Sequence, residues 1–178
     1  AASNVDKRQG QFEEYEAPLG THMKSKWLGF LNAEEWTRNL GFEVRLEDED
    51  TMLVRVPDQI WTLLLNDAGM SSCKSTQTPY CACTSRALDS HIGQPLDPER
   101  YRRYRTCVGR VLWCLPVRGD WAFAVKECAK HGSSPTGFDD LRMKRTLRYV
   151  NGTRHLVLHL YVDHGGRLVV TGYSDSDW

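Results

Sequence analysis

Apolar and polar positions first alternate cleanly over residues 40–46, where Leu40, Phe42, Val44 and Leu46 are separated by Gly41, Glu43 and Arg45. A period of two predicts a half-buried strand. The run Glu47-Asp48-Glu49-Asp50 breaks it, and Thr51 to Val56 reads as a return strand. Together they predict a hairpin with a strongly acidic tip. Pro57 and Asp58 then open a short helix through Ile60, Leu63 and Leu64, with Gly69 at the position just past its end. Upstream, a helical stretch from Gln11 to Leu31 is interrupted by Pro18, Gly20 and Gly29, so residues 1–35 remain a poorly defined segment.

Residues 71–96, rich in Ser, Thr, Cys and Pro, predict a loop or linker. The strongest period follows. Asp97-Pro98 is a cap and first-turn pair, and Tyr101, Tyr104, Val108, Leu112 and Leu115 recur at spacings of three and four, one face of a helix. Arg102, Arg103, Arg105 and Arg110 lie mostly off that face. Asp120 to His131 predicts another helix, stopped by Gly132. Thr136 with Asp139 has the spacing of a capping box and starts a third helix, ended by Asn151-Gly152. Its apolar set is Phe138, Leu141, Leu147 and Val150, and Arg142, Arg145 and Arg148 form a basic stripe. His155 to Val162 and Arg167 to Tyr173 alternate as two strands around Asp163-His164-Gly165-Gly166, a C-terminal hairpin. Strands and helices are thus segregated along the chain, which predicts an α+β fold rather than a doubly wound sheet.

Composition narrows the class. A chain of 178 residues, 40% hydrophobic and 26% charged, can bury a core. No apolar run approaches a membrane span, and the polar start from Ala1 to Gln11 is unlike a signal peptide. The expected setting is intracellular, cytoplasmic or nuclear, with no membrane partner and no secretion. The net charge of zero hides a segregation: residues 99–155 carry 13 Lys and Arg against 5 Asp and Glu, while residues 1–98 carry 9 against 15. A local excess of +8 attracts a polyanion, or else forms a solvated face balanced by the acidic half.

Candidate chemistry is sparse. There is no phosphate-binding glycine loop, no His-Glu-x-x-His helix and no nucleophile elbow. Cys107, Cys114 and Cys128 fall in helical patterns as small core residues, and Trp113, Trp121, Phe123 and Tyr149 fall on apolar faces that predict burial. Cys73, Cys81, Cys83 and His91 could supply four zinc ligands, but their spacing matches no compact zinc motif and leaves the question open. The closing Tyr173-Ser174-Asp175-Ser176-Asp177-Trp178 sets two carboxylates just past a strand, where they suit Mg²⁺ or form a solvated tail.

Six short motifs in residues 36–178 occur in an order that resembles one family. These are Arg38-Asn39-Leu40-Gly41-Phe42-Glu43-Val44, then Gly69-Met70-Ser71-Ser72-Cys73 running to Thr78-Pro79, then Tyr104-Arg105-Thr106-Cys107-Val108-Gly109-Arg110-Val111-Leu112-Trp113. Arg118-Gly119-Asp120-Trp121-Ala122-Phe123-Ala124-Val125, Lys144-Arg145-Thr146-Leu147-Arg148-Tyr149-Val150-Asn151-Gly152-Thr153 and Gly172-Tyr173-Ser174-Asp175-Ser176-Asp177-Trp178 follow. The series is similar to the C-terminal part of a copia-type retrotransposon reverse transcriptase running into the first strand of its ribonuclease H domain. There are departures: Gly119 stands where the family has proline, and Asn4-Val5-Asp6-Lys7 stands where its Tyr-x-Asp-Asp turn would fall. A lysine in place of the second aspartate repels Mg²⁺. The polymerase centre is therefore expected to be absent or ruined here.

The resemblance implies a division of the chain. Residues 1–35 would be a degraded palm remnant. Residues 36–98 would form the end of the palm, a thumb-like helix and a linker. A basic helical connecting region would occupy 99–166, and 167–178 would be the first strand of a truncated ribonuclease H domain. It also implies roles. Leu40, Gly41, Phe42 and Glu43 would hold the primer end; Arg142, Lys144, Arg145 and Arg148 would neutralise phosphates of an RNA–DNA hybrid or primer–template duplex; Asp175 would be the first Mg²⁺ ligand of ribonuclease H, with Asp177 supporting. Mg²⁺ belongs to the intact parent enzyme, and no tight binding is expected in this chain. The functional expectation is a piece of a reverse transcriptase/ribonuclease H that is inactive alone. The alternatives are a non-catalytic nucleic-acid-binding module and a decayed genomic copy without function. Oligomeric state is not legible.

Overall fold

A computed structural model describes residues 31–48, 50–81 and 93–161. Four antiparallel strands form one sheet in the order β1-β2-β3-β4: β1 Thr37–Asn39, β2 Phe42–Leu46, β3 Thr51–Arg55 and β4 Leu158–Tyr161. Between β3 and β4 the described residues form four helices, α1 Asp58–Asp67, α2 Pro98–Trp113, α3 Ala122–Ala129 and α4 Gly137–Gly152, with a 3₁₀ turn at Gly119–Trp121 leading into α3. The fold is α+β, as the segregated pattern predicts.

The central hairpin pairs Glu43 with Arg55 and Leu46 with Met52, and Glu47 closes it by donating to the Thr51 carbonyl at 2.9 Å. Two features of the sheet differ from the sequence reading. Leu40 is not in the strand: Leu40 and Gly41 form a two-residue turn with φ of +50° and +89°, and a short strand β1 folds back so that Asn39 faces Phe42. Both turn positions being left-handed is the geometry that matches strand twist in tight hairpins, but it is normally announced by Asn-Gly. β4, in turn, finds a partner in β3, with Thr51 opposite Tyr161 and Val54 opposite Leu158. The other strand of the C-terminal hairpin, 167–173, lies outside the described residues.

Helix ends follow the local code. Asp97 caps α2 by accepting from the amides of Glu99 and Arg100. Asp139 accepts from the Thr136 amide and hydroxyl at 2.8 and 2.9 Å at the start of α4. Gly69, at φ +67°, closes α1, with its amide on Asn66 and that of Met70 on Leu65. The core forms where the helices meet. Trp61 of α1 meets Trp121 edge to face at 5.7 Å, and Trp121 meets Tyr149 of α4 likewise at 6.5 Å. Leu64, Leu65, Tyr104, Val111, Val125, Met143, Leu147 and Val150 complete it. Cys107, Cys114 and Cys128 are buried as expected, and burial pushes their thiols up to about 11, 12 and 12.

The expected apolar faces of α1, α2 and α4 are buried in large part, at Leu64, Tyr104, Val108, Leu147 and Val150, but four expected positions are not. Leu63 and Leu112 are exposed. Trp113 and Phe123 are 41% and 59% exposed, Trp113 stacked on Phe42 and Phe123 edge to face with Tyr80. Core space is limited, and the smaller residues Val111, Cys114, Ala124 and Val125 occupy it instead.

Candidate nucleic-acid interface

The residues expected to meet nucleic acid occupy two places. At the hairpin, the Phe42 ring stacks on the Trp113 indole with centroids 4.4 Å apart, and Gly41 lies against the same indole so closely that a Cβ would come within 2.7 Å. Glu43 accepts from Arg55 Nε across the ladder at 2.8 Å. Leu40 at the tip is 89% exposed. Beside it, Ile60, Leu63, Arg110 and Trp113 line a cleft of about 220 Å³.

The basic residues of α4 do not form one continuous stripe. Arg142 turns back to Asp139 at 3.4 Å, on the side where Asp139 also meets His131 Nδ1 at 2.8 Å. Burial raises the Asp139 carboxyl, but the Thr136 and His131 hydrogen bonds outweigh it and hold the group below its ordinary value. Lys144 pairs with Asp140 at 2.9 Å, and Asp140 also takes Arg100 at 2.7 Å; these cations overcome burial and hold that carboxyl low as well. Arg145 donates to the Thr78 hydroxyl at 2.7 Å. Arg148 is exposed and has no ion-pair partner among the described residues.

Lys144, Arg145 and Arg148 nevertheless share one groove of about 320 Å³, whose other wall is Lys74, Ser75 and Thr76. The loop carrying that wall is tied along α4. Asn151 Nδ2 donates to the Cys73 carbonyl at 2.8 Å, and the Thr146 hydroxyl donates to the Pro79 carbonyl at 3.2 Å. Gly152 leaves room for Ser75, which a Cβ would approach to 2.8 Å. So Asn151 and Gly152 do more than stop the helix; both lie inside it and seat the loop. Residues 71–81 are a loop, as the Ser, Thr, Cys and Pro content predicts, but the sequence assigns no role to Lys74, whose one signal is a lysine inside a Ser/Thr run.

A second buried node was also missed. The guanidinium of Arg118, 3% exposed, grips Asp120 through two hydrogen bonds of 3.0 and 2.8 Å and donates to the carbonyl and hydroxyl of Thr153, both at 2.8 Å. It lies 4.2 Å from the Trp121 ring. This ties the turn before α3 to the end of α4, giving the motif Arg118-Gly119-Asp120 a structural meaning.

Cys73 and Cys81 are both half-buried and in no disulfide, and Cys83, His91 and Asp175 lie outside the described residues. Among the described residues, no group of three or more His, Cys, Asp or Glu side chains is placed to hold a metal ion. No described helix is long and apolar enough to cross a membrane.

Comparison with known proteins supplies the kinship. Over 116 residues, 65% of this chain, it is 34% identical to the uncharacterized mitochondrial protein AtMg00810 of Arabidopsis thaliana, covering 45% of that protein. Over 117 residues it is 33% and 32% identical to the retrovirus-related Pol polyproteins from transposons RE2 and RE1 of the same plant, covering 8% and 7% of them. Over these residues the chain is similar to a stretch of retrotransposon Pol polyproteins. The chain spans less than half the length of each of these relatives. No family model matches it. No solved structure matches it either.

Proposed function

We propose that this Pol-related chain is the segment of a copia-type reverse transcriptase that runs from the end of the palm toward ribonuclease H, and that it binds the backbone of an RNA–DNA hybrid or primer–template duplex without performing chemistry alone. The observation that carries the binding reading is the groove on α4, where four cations and, among the described residues, no carboxylate line one surface. Kinship with Pol polyproteins supports the choice of polyanion. On this reading Lys144, Arg145 and Arg148 neutralise phosphates, while the exposed Leu40, backed by Phe42 on Trp113, is an apolar contact at the primer end. Arg142, engaged with Asp139, shapes the start of α4 and adds charge at its flank. Mg²⁺ ligation by Asp175 belongs to the complete parent enzyme.

The test is a salt titration of binding to a labelled RNA–DNA hybrid. Weak affinity that falls with salt, with a log–log slope of about −0.9 per phosphate neutralised, is expected. Replacing Arg142, Arg145 and Arg148 together by Ala should remove most of it. A flat salt response, or no change in the triple variant, would overturn the binding reading. Mg²⁺-dependent primer extension by the purified chain would overturn the non-catalytic one.

A further inference from the structure

The loop wall of the groove has no place in the family roles given above, yet it is built as carefully as the helix wall. Lys74 is exposed and, like Arg148, has no ion-pair partner among the described residues. Ser75 and Thr76 bring two hydroxyls to the same groove, and Leu141 forms part of its apolar lining. Across from them Arg145 donates through Nη2 to Thr78, which commits one of the five guanidinium N–H groups. Lys144 and Arg148 stand about 6 Å apart along the axis of α4, on the scale of successive phosphates of one strand. Among the described residues, only the Lys144 charge of this set is offset, by Asp140. The geometry points to a two-walled phosphate groove in which Lys74, Ser75 and Thr76 grip one strand's backbone from the side opposite Lys144, Arg145 and Arg148. It rests on the nucleic-acid reading and adds to it a second set of contacts and the device that positions them: Gly152 and Asn151 hold the loop at the groove.

The full chain is titrated with a labelled RNA–DNA hybrid at several salt concentrations, as wild type and as Lys74→Gln, Gly152→Val and Arg105→Gln. Lys74→Gln should weaken binding three- to tenfold near 0.1 M salt and make the slope shallower by about 0.9. Gly152→Val, whose side chain must displace Ser75, should weaken binding while the Lys74→Gln substitution then adds little. Arg105→Gln removes an equal charge from α2, away from the groove, and should change affinity less than twofold. Thermal melts separate a displaced loop from a failed fold in the valine variant. If Lys74→Gln binds as wild type while Arg145→Ala and Arg148→Ala do not, the loop wall is refuted and the helix reading stands. A wild type that binds no hybrid refutes both.

Discussion

At the residue scale, two side chains carry opposite energetic signs. Leu40 is a non-glycine residue at φ +50° with its side chain in solvent, and L-residues reach that region at a cost of about 1 kcal/mol. Leu40→Asn is therefore expected to raise stability by about 1 kcal/mol in urea denaturation; a loss would mean that the tip is packed. Arg118 is the converse. Removing it takes the ion pair from Asp120, leaving it the Tyr149 hydroxyl, takes the donors from two Thr153 oxygens and uncovers Trp121. Arg118→Ala should cost about 3 kcal/mol, a chemical denaturation midpoint far below wild type. Gly119, between Arg118 and Asp120, is not left-handed, and nothing lies within 4 Å of where its Cβ would sit. Gly119→Ala should gain about 0.5 kcal/mol by limiting the unfolded chain, read as a higher melting temperature. The sequence showed Arg118 and Asp120 as a motif but not as an ion pair. Spacing cannot reveal which of two neighbouring charges is buried when the third partner, Thr153, is 35 residues away.

At the element scale, legibility follows how local the controlling interaction is. The hairpin of β2 and β3, the cap of α2 and the Thr136–Asp139 box at α4 are written within a few residues, and each stands where the pattern predicts. β1 escaped notice because its turn uses Leu40-Gly41 in place of a recognisable signal. The groove escaped in part because its two walls are about 70 residues apart in sequence, joined by contacts such as Arg145 to Thr78. The basic stripe was visible, but its division was not: Arg142 is drawn to Asp139 while Arg145 and Arg148 turn to the loop. Gly41→Ala tests how firmly the hairpin is seated. At φ +89°, with Trp113 2.7 Å from the new methyl, it should destabilise by about 2 kcal/mol and lower hybrid affinity together.

At the scale of the whole molecule, three carboxylates link the helices to pH. Asp120, Asp139 and Asp140 are opposed by burial, yet their Arg118, Thr136 and His131, and Arg100 and Lys144 partners hold each below its ordinary 3.8. A carboxyl lowered in the folded state contributes stability above its unfolded value and loses it as pH falls through the folded one. Stability from these groups should thus be retained down to about pH 4 and decline below it. Denaturation midpoints across pH 2–7 check this, and Asp139→Asn should flatten the acid limb. The sheet has a different consequence, one of time. β1, β2 and β3 are neighbours in sequence, whereas Thr51 and Tyr161, paired in β3 and β4, are 110 residues apart. Closing so long a loop is entropically costly until the intervening helices have condensed. The three-stranded meander can therefore assemble early, and the arrival of β4 becomes the slow closing event of folding, one whose rate reports the docking of α1 to α4.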